Sequence, residues 1–163
     1  MSSAIEPFNP ENIGQAMTMA DTLAKSALIP TALRGKPADV FVVIAKGREL
    51  RLSPMQSLGE INVIEGKPVS SAALKVGLCL REPAICEYFR LVSGDATQAT
   101  YETKRAGSAP VKLTWTIAQA TKASLAGKQN STRHPDAMLR ARCSSALATA
   151  VYPDLVQGLI TPH

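Results

Sequence analysis

The sequence predicts an α+β fold in which a β-hairpin and a small three-stranded antiparallel meander are flanked by helices. Three observations predict it. Cap-and-proline signatures at Ser53-Pro54-Met55-Gln56 and at Pro135 mark helix starts. Segments beginning near Ile85, Ala99 and Val111 alternate apolar and polar residues with the period of a half-buried strand. Between them, Ser93-Gly94-Asp95 and Ala106-Gly107-Ser108-Ala109-Pro110 have turn composition. A chain of 163 residues is about one domain in length, so a single core domain over residues 1–163 is expected.

Asn9-Pro10-Glu11 suits an N-cap, a proline at the first helical position and an acid in the first turn. Ile13, Met17, Ala20, Leu23 or Ala24, and Leu28 then recur at helical spacing until Pro30. Val40-Phe41-Val42-Val43-Ile44 has the β-branched content of a buried strand, while Pro37 before it and Ala45-Lys46-Gly47 after it also suit a short core helix. Ser53 offers a capping hydroxyl, and Gln56 stands at N3 to reach back to it.

Ile61 to Ile64 and Lys67 to Val69 read as hairpin arms around Glu65-Gly66, with Pro68 confining the second arm to an edge. Ala72 to Arg81 is predicted helical and ended by Pro83. In the meander, Ile85, Glu87, Phe89 and Leu91 are expected on one face of the first strand, and Ala99, Tyr101 and Thr103 on one face of the second. Val111, Leu113 and Trp115 share a face of the third, leaving Lys112 and Thr114 on the other. Thr116 to Leu125 resembles a helix, 126–132 a polar loop, and Pro135 opens a long helix to about Val151 that Pro153 interrupts.

Composition excludes several classes. An apolar fraction of 45% and a charged fraction of 19% fit neither a disordered tail nor a membrane protein. The longest wholly apolar run, Val40 to Ala45, cannot span a bilayer. Residues 1–10 show no secretory pattern, and three cysteines without a C-x-x-C fit neither a disulfide framework nor a zinc site, so a reducing cytoplasm is expected. Lone Gly-Lys pairs at 35–36, 66–67 and 127–128 fall far short of a nucleotide-binding loop. No G-x-S-x-G, no H-E-x-x-H and no paired carboxylates on one short element occur. No catalytic residue, metal or cofactor is expected.

Charge is distributed unevenly. Residues 1–60 hold six basic and six acidic side chains, whereas 61–163 hold twelve basic against seven acidic and so supply the whole net charge of +5. Between Glu102 and Asp136 no acid occurs, yet Lys104, Arg105, Lys112, Lys122, Lys128 and Arg133 do. Surfaces normally mix signs, so an acid-free basic stretch points to a polyanion partner, an ordinary basic face being the bland alternative. Lys104, Lys112, Lys128 and Arg133 are candidates to track a phosphate backbone.

Trp115 is a candidate base-stacking residue, although sharing a strand face with Val111 and Leu113 favours core packing. Arg140 stands four residues after Asp136, a spacing that suits a local ion pair. Arg142 projects among Met138, Leu139 and Ala146, so its charge either snorkels to the edge of that apolar face or meets a phosphate.

Six stretches in order resemble the RecT/Redβ family of phage and bacterial single-strand annealing proteins, most closely its RecT branch. They are residues 23–30 (LAKSALIP), 35–40 (GKPADV), 47–56 (GRELRLSPMQ), 61–68 (INVIEGKP), 135–142 (PDAMLRAR) and 152–159 (YPDLVQGL), and the likeness covers roughly residues 16–160. The resemblance implies a RecT/Redβ-like core that binds single-stranded DNA and pairs it with its complement without ATP. It implies assembly into rings or helical filaments, a basic DNA groove, and a partner exonuclease or host single-strand binding protein. It implies that Val40 to Ala45 is helical, and that Lys67 and Arg142 match positions facing DNA. The chain departs from many relatives at Asn130-Ser131-Thr132-Arg133, where they carry a tryptophan, and at Thr149, where they carry an arginine. It stops at His163 without the relatives' further partner-binding region, as a core fragment or a shortened member would.

Three rival readings remain open at this point. One is a single-strand DNA-binding module that does not anneal. Another is a metal-dependent nuclease using Asp95, Glu102 and Asp136, and the last is an assembly module whose basic face binds an acidic protein.

Overall fold

A computed structural model of the chain describes residues 8–123, 133–156 and 159. It is a mixed α+β structure with one two-stranded and one three-stranded antiparallel sheet, each flanked by helices. The chain gathers into two compact units, Met1–Val69 and Ser70–His163. Among the described residues no helix is long and apolar enough to cross a membrane.

In the first unit, α1 (Ile13–Ala24) is capped by Asn12, whose side chain accepts the Gln15 N–H at 2.9 Å. The cap is therefore three residues later than the expected Asn9, and Pro10 is buried before the helix. The buried face of α1 also differs from expectation. It is the alanine row Ala16, Ala20 and Ala24, while Ile13 and Met17 are 70% and 55% exposed. Small side chains let α1 approach α2 (Pro37–Glu49) closely, and that proximity outweighs the greater apolar area of Ile13 and Met17. The pattern also stops early, because α1 ends at Ala24 and Leu28 is 92% exposed.

The Val40–Ala45 run lies inside α2, so the helical reading holds against local β-propensity. Val40, Val43 and Ile44 are its buried apolar face. The helix ends with Arg51 at φ 56, Leu52 N–H donating to Gly47 C=O at 2.8 Å and Arg51 N–H to Arg48 C=O at 3.0 Å. This is a Schellman ending with an arginine in the place glycine usually takes. Ser53 and Gln56 form the expected reciprocal capping box on α3 (Pro54–Glu60). The hairpin of β1 (Ile61–Ile64) and β2 (Lys67–Ser70) turns through Glu65 at φ 51 and Gly66 at φ 75, the two left-handed residues a tight hairpin loop requires.

The second unit opens with α4 (Ala72–Leu80), capped by Ser71. The meander β3 (Cys86–Gly94), β4 (Gln98–Arg105) and β5 (Val111–Thr116) follows in the sheet order β3-β4-β5. Its register sets Leu91, Tyr101 and Leu113 in one row, and Arg90, Glu102 and Lys112 in the next. An irregularity between Cys86 and Tyr88 takes Glu87 out of the alternation expected for β3, because an extra residue in one strand shifts all pairing beyond it.

Thr116 and Gln119 cap α5 (Ile117–Lys122) reciprocally, and the expected continuation to Leu125 lies outside the described residues. The long helix α6 (Pro135–Val151) runs as the proline signals predict, and Pro153 opens the short α7 (Pro153–Val156). Helix α6 packs on α4 and on the sheet. Its apolar face seals two clusters, one of Ala99, Ala120, Leu139 and Cys143 and one around Phe89, Leu147, Ala148 and Tyr152.

Candidate nucleic-acid interface

Antiparallel pairing decides what happens to the strand cations. Sequence places no acid between Glu102 and Asp136, but the register brings acids from neighbouring strands beside that stretch. Lys104 Nζ lies 2.5 Å from Glu87 Oε2, and Lys112 Nζ 3.5 Å from Glu102 Oε2. Glu102 also accepts from Arg90 at 2.7 Å and from the Tyr88 hydroxyl at 2.9 Å, with the Arg90 guanidinium 4.7 Å above the Tyr88 ring. The Tyr88 and Arg90 hydrogen bonds hold the Glu102 carboxyl below its ordinary range, so it stays charged. Arg105 is committed to structure. It grips Asp154 with both nitrogens at 2.7 and 2.9 Å and donates to the Val151 carbonyl at 3.1 Å.

Exposed ion pairs of this kind are worth about 0–1 kcal/mol, so a phosphate can displace them. They nonetheless cancel much of the field that the acid-free stretch implies. The outer face of the meander is a ladder of alternating sign rather than a wholly basic strip.

The remaining candidates separate by place. Lys67 begins β2 in the first unit and is exposed, with no ion pair or hydrogen bond from its ammonium among the described residues. Arg133 is exposed just before α6 and Lys122 is exposed in α5. Lys128 lies outside the described residues, as do Asn130, Ser131 and Thr132. Trp115 faces the opposite side of the sheet from Lys112 and packs against the cluster of Ala99, Ala120, Leu139 and Cys143. The structure thus sets the indole with the core, as its shared face with Leu113 indicated, and apart from the strand cations with which it was grouped as a stacking candidate.

Arg142 stands out. It is half-buried on α6 between the buried Leu139 and Ser145, yet no acceptor or carboxylate among the described residues bonds its guanidinium. Burial alone pushes its pKa below the ordinary arginine value. Arg140, by contrast, makes the expected pair with Asp136 at 3.2 Å.

Sequence reasoning passed over a second cation on this face. Lys75, in the middle of α4, is 2% exposed and directs its ammonium to the Thr149 hydroxyl of α6 at 3.3 Å. A lysine among Ala72, Leu74, Val76 and Leu78 was the available signal, because a charge inside so apolar a helix must reach a polar neighbour.

Among the described residues, the cysteines and the three acids of the nuclease reading are each engaged or buried. The Cys79 thiol is pushed up to about 12, first by burial, and Cys86 and Cys143 are also buried, so none is a ready nucleophile. Asp95 holds its own turn through Thr97 and Gln98, Glu102 is engaged as described, and Asp136 pairs with Arg140. The three acids of the nuclease reading are therefore separately engaged, and no group of three or more His, Cys, Asp or Glu among the described residues is placed to hold a metal ion. Compared with known proteins, the chain matches no family model and no curated protein.

Proposed function

We propose that this chain binds single-stranded DNA and anneals complementary strands without ATP, as the core of a phage-type recombination protein of the RecT/Redβ kind. The observation that carries the reading is Arg142, a half-buried guanidinium with no partner among the described residues, in one of the six stretches that resemble the family. A group desolvated at that expense and left unanswered inside the protein is accounted for by an anion from outside.

Annealing needs phosphate repulsion screened while base edges stay free. Lysine and arginine contacts to the backbone do the first, and sequence-neutral contacts permit the second. No bond is made or broken, so no catalytic residue and no cofactor enter. Weak contacts per subunit add up if many copies line one strand, which is why a homo-oligomeric ring or helical filament belongs to the proposal. The proposed setting is the cytoplasm of a bacterial or phage-infected cell, beside a partner exonuclease and a host single-strand binding protein.

The test is the rate at which two complementary labelled oligonucleotides pair, without ATP, with and without protein. Acceleration supports annealing. Tight salt-dependent binding without acceleration leaves the second reading, a single-strand binding module. No binding at low salt overturns both.

A further inference from the structure

We propose that the outer face of α2 is a self-association surface, on which a second copy of this chain lays its own α2 antiparallel across a two-fold axis beside Val42. The inference concerns the first unit alone and does not depend on the proposed DNA binding.

The run Val40–Ala45 is apolar at every position, and at about 3.6 residues per turn it wraps the whole circumference of α2. A helix that is apolar all round is normally covered all round. Here the first unit buries Val40, Val43 and Ile44 and leaves Val42 53% exposed, with Ala38 and Ala45 exposed on the same side. Apolar clefts flank this ridge. One of about 410 Å³ is lined by Ile13, Phe41 and Ala45, and one of about 420 Å³ by Leu33, Val42 and Val63. The small Ala38 and Ala45 let Val42 stand proud between them, and a ridge beside grooves is the form in which one helix packs on another.

Charge complementarity selects the occupant. Asp39, Val42 and Lys46 fall at i, i+3 and i+7 and so share one face of α2. Along the helix the charges run Lys36, Asp39, Lys46, Glu49, alternating in sign from one end to the other. An antiparallel copy reverses that order. With the two-fold axis between positions 42 and 43, Asp39 and Lys46 are equidistant from it, as are Lys36 and Glu49. Asp39 then lies opposite the partner's Lys46, and Lys36 opposite the partner's Glu49, and the symmetry makes each pair twice. A parallel copy would set like on like. Neither Lys36 nor Asp39 has a side-chain bond or ion pair among the described residues. Lys46 holds Glu49 at 3.0 Å, and an ammonium with three donors serves a second carboxylate as well. The pairs fix orientation and register, while Val42 and the cleft walls supply the apolar area.

The experiment is sedimentation velocity of the full chain over a concentration series, without DNA, for wild type, Asp39→Lys and Lys46→Glu. Each variant sets like charges opposite each other twice, so its dimer dissociation constant is expected to rise by about tenfold or more. An equimolar mixture of the two is expected to recover the dimer, because the substituted positions then face each other with opposite charge. Val42→Cys supplies an independent readout. A residue beside a two-fold axis cross-links to its own copy through a short bismaleimide, whereas one in a head-to-tail contact does not, and the native thiols of Cys79, Cys86 and Cys143 are buried. The Val42→Cys cross-link decides the matter if a charge variant fails to fold. A wild-type chain that stays monomeric overturns the inference, as does a mixture that recovers no dimer, or a Val42→Cys protein that forms no cross-linked pair. Because no DNA is present, a failure of the proposed function leaves every one of these outcomes readable.

Discussion

The Tyr152 hydroxyl donates to Thr103 Oγ1 at 2.6 Å, and Thr103 passes its own proton to the Tyr88 carbonyl at 2.7 Å. Both side chains are 0% exposed, so this chain of bonds ties the C-terminal end of α6 to the middle strand inside the core. Tyr152→Phe removes the donor while Thr103 keeps its bond to Tyr88. A loss of about 1–1.5 kcal/mol is expected, read as a lower urea midpoint at unchanged slope.

The same residue sets an alkaline limit. Tyr152 is pushed up to about 12, first by burial, and Cys79 likewise. Free phenols and thiols titrate near about 10 and 8.5, so the unfolded chain releases these protons first. Their contribution is complete below those values and is lost as pH rises towards 12. Urea midpoints measured from pH 8 to 11.5 are expected to fall with pH, and to fall less steeply in Tyr152→Phe.

Glu102 restrains the outer face of the sheet. It answers Arg90 at 2.7 Å and Lys112 at 3.5 Å, so Glu102→Gln frees two cations without removing the Tyr88 contact site. DNA affinity at low salt is expected to rise, with the salt slope steepening by up to about 0.7 for each cation that gains a phosphate. Fluorescence anisotropy of a labelled oligothymidylate titrated with protein across a salt series measures it. An unchanged slope means the strands stand outside the DNA path and leaves α6 as the contact surface.

Two helical glycines answer opposite ways to alanine. A Cβ on Gly47 would sit 1.6 Å from Ser57 Oγ and 2.5 Å from Ser57 Cβ, because α2 and α3 touch at that point. Ser57 is 0% exposed and cannot swing away, so Gly47→Ala is expected to cost about 1–3 kcal/mol. A Cβ on Gly59 meets nothing within 4 Å, and Gly59→Ala is expected to stabilise α3 by about 0.5–1 kcal/mol. Chemical denaturation of the two variants in parallel checks both signs.

Local signals carried much of the fold. The Ser53 capping box, the start and end of α6 and the alternation of β4 and β5 all follow from a few neighbouring residues, which is why they were legible. What escaped depends on contacts between distant segments. Choosing Ala16, Ala20 and Ala24 over Ile13 and Met17 as the buried face requires knowing how closely α2 approaches. The neutralising of Lys104 by Glu87 requires a register spanning 17 residues and a strand irregularity that no composition announces. Lys75 was missed because its partner Thr149 stands 74 residues away. Arg142, placed by helical spacing among Met138, Leu139 and Ala146, was recognisable in advance as a charge on an apolar face.

The central claim is that Arg142 is held half-buried for DNA and not for the fold. A residue kept for binding separates stability from activity, since removing an unanswered buried charge relieves desolvation. The most direct measurement pairs a urea melt with an annealing assay on wild type and Arg142→Leu, using two complementary labelled oligonucleotides without ATP at low and moderate salt. The account predicts a variant at least as stable as wild type whose annealing is slower and whose DNA binding has a shallower salt slope. A variant that loses stability while the surviving folded protein anneals at the wild-type rate would contradict it.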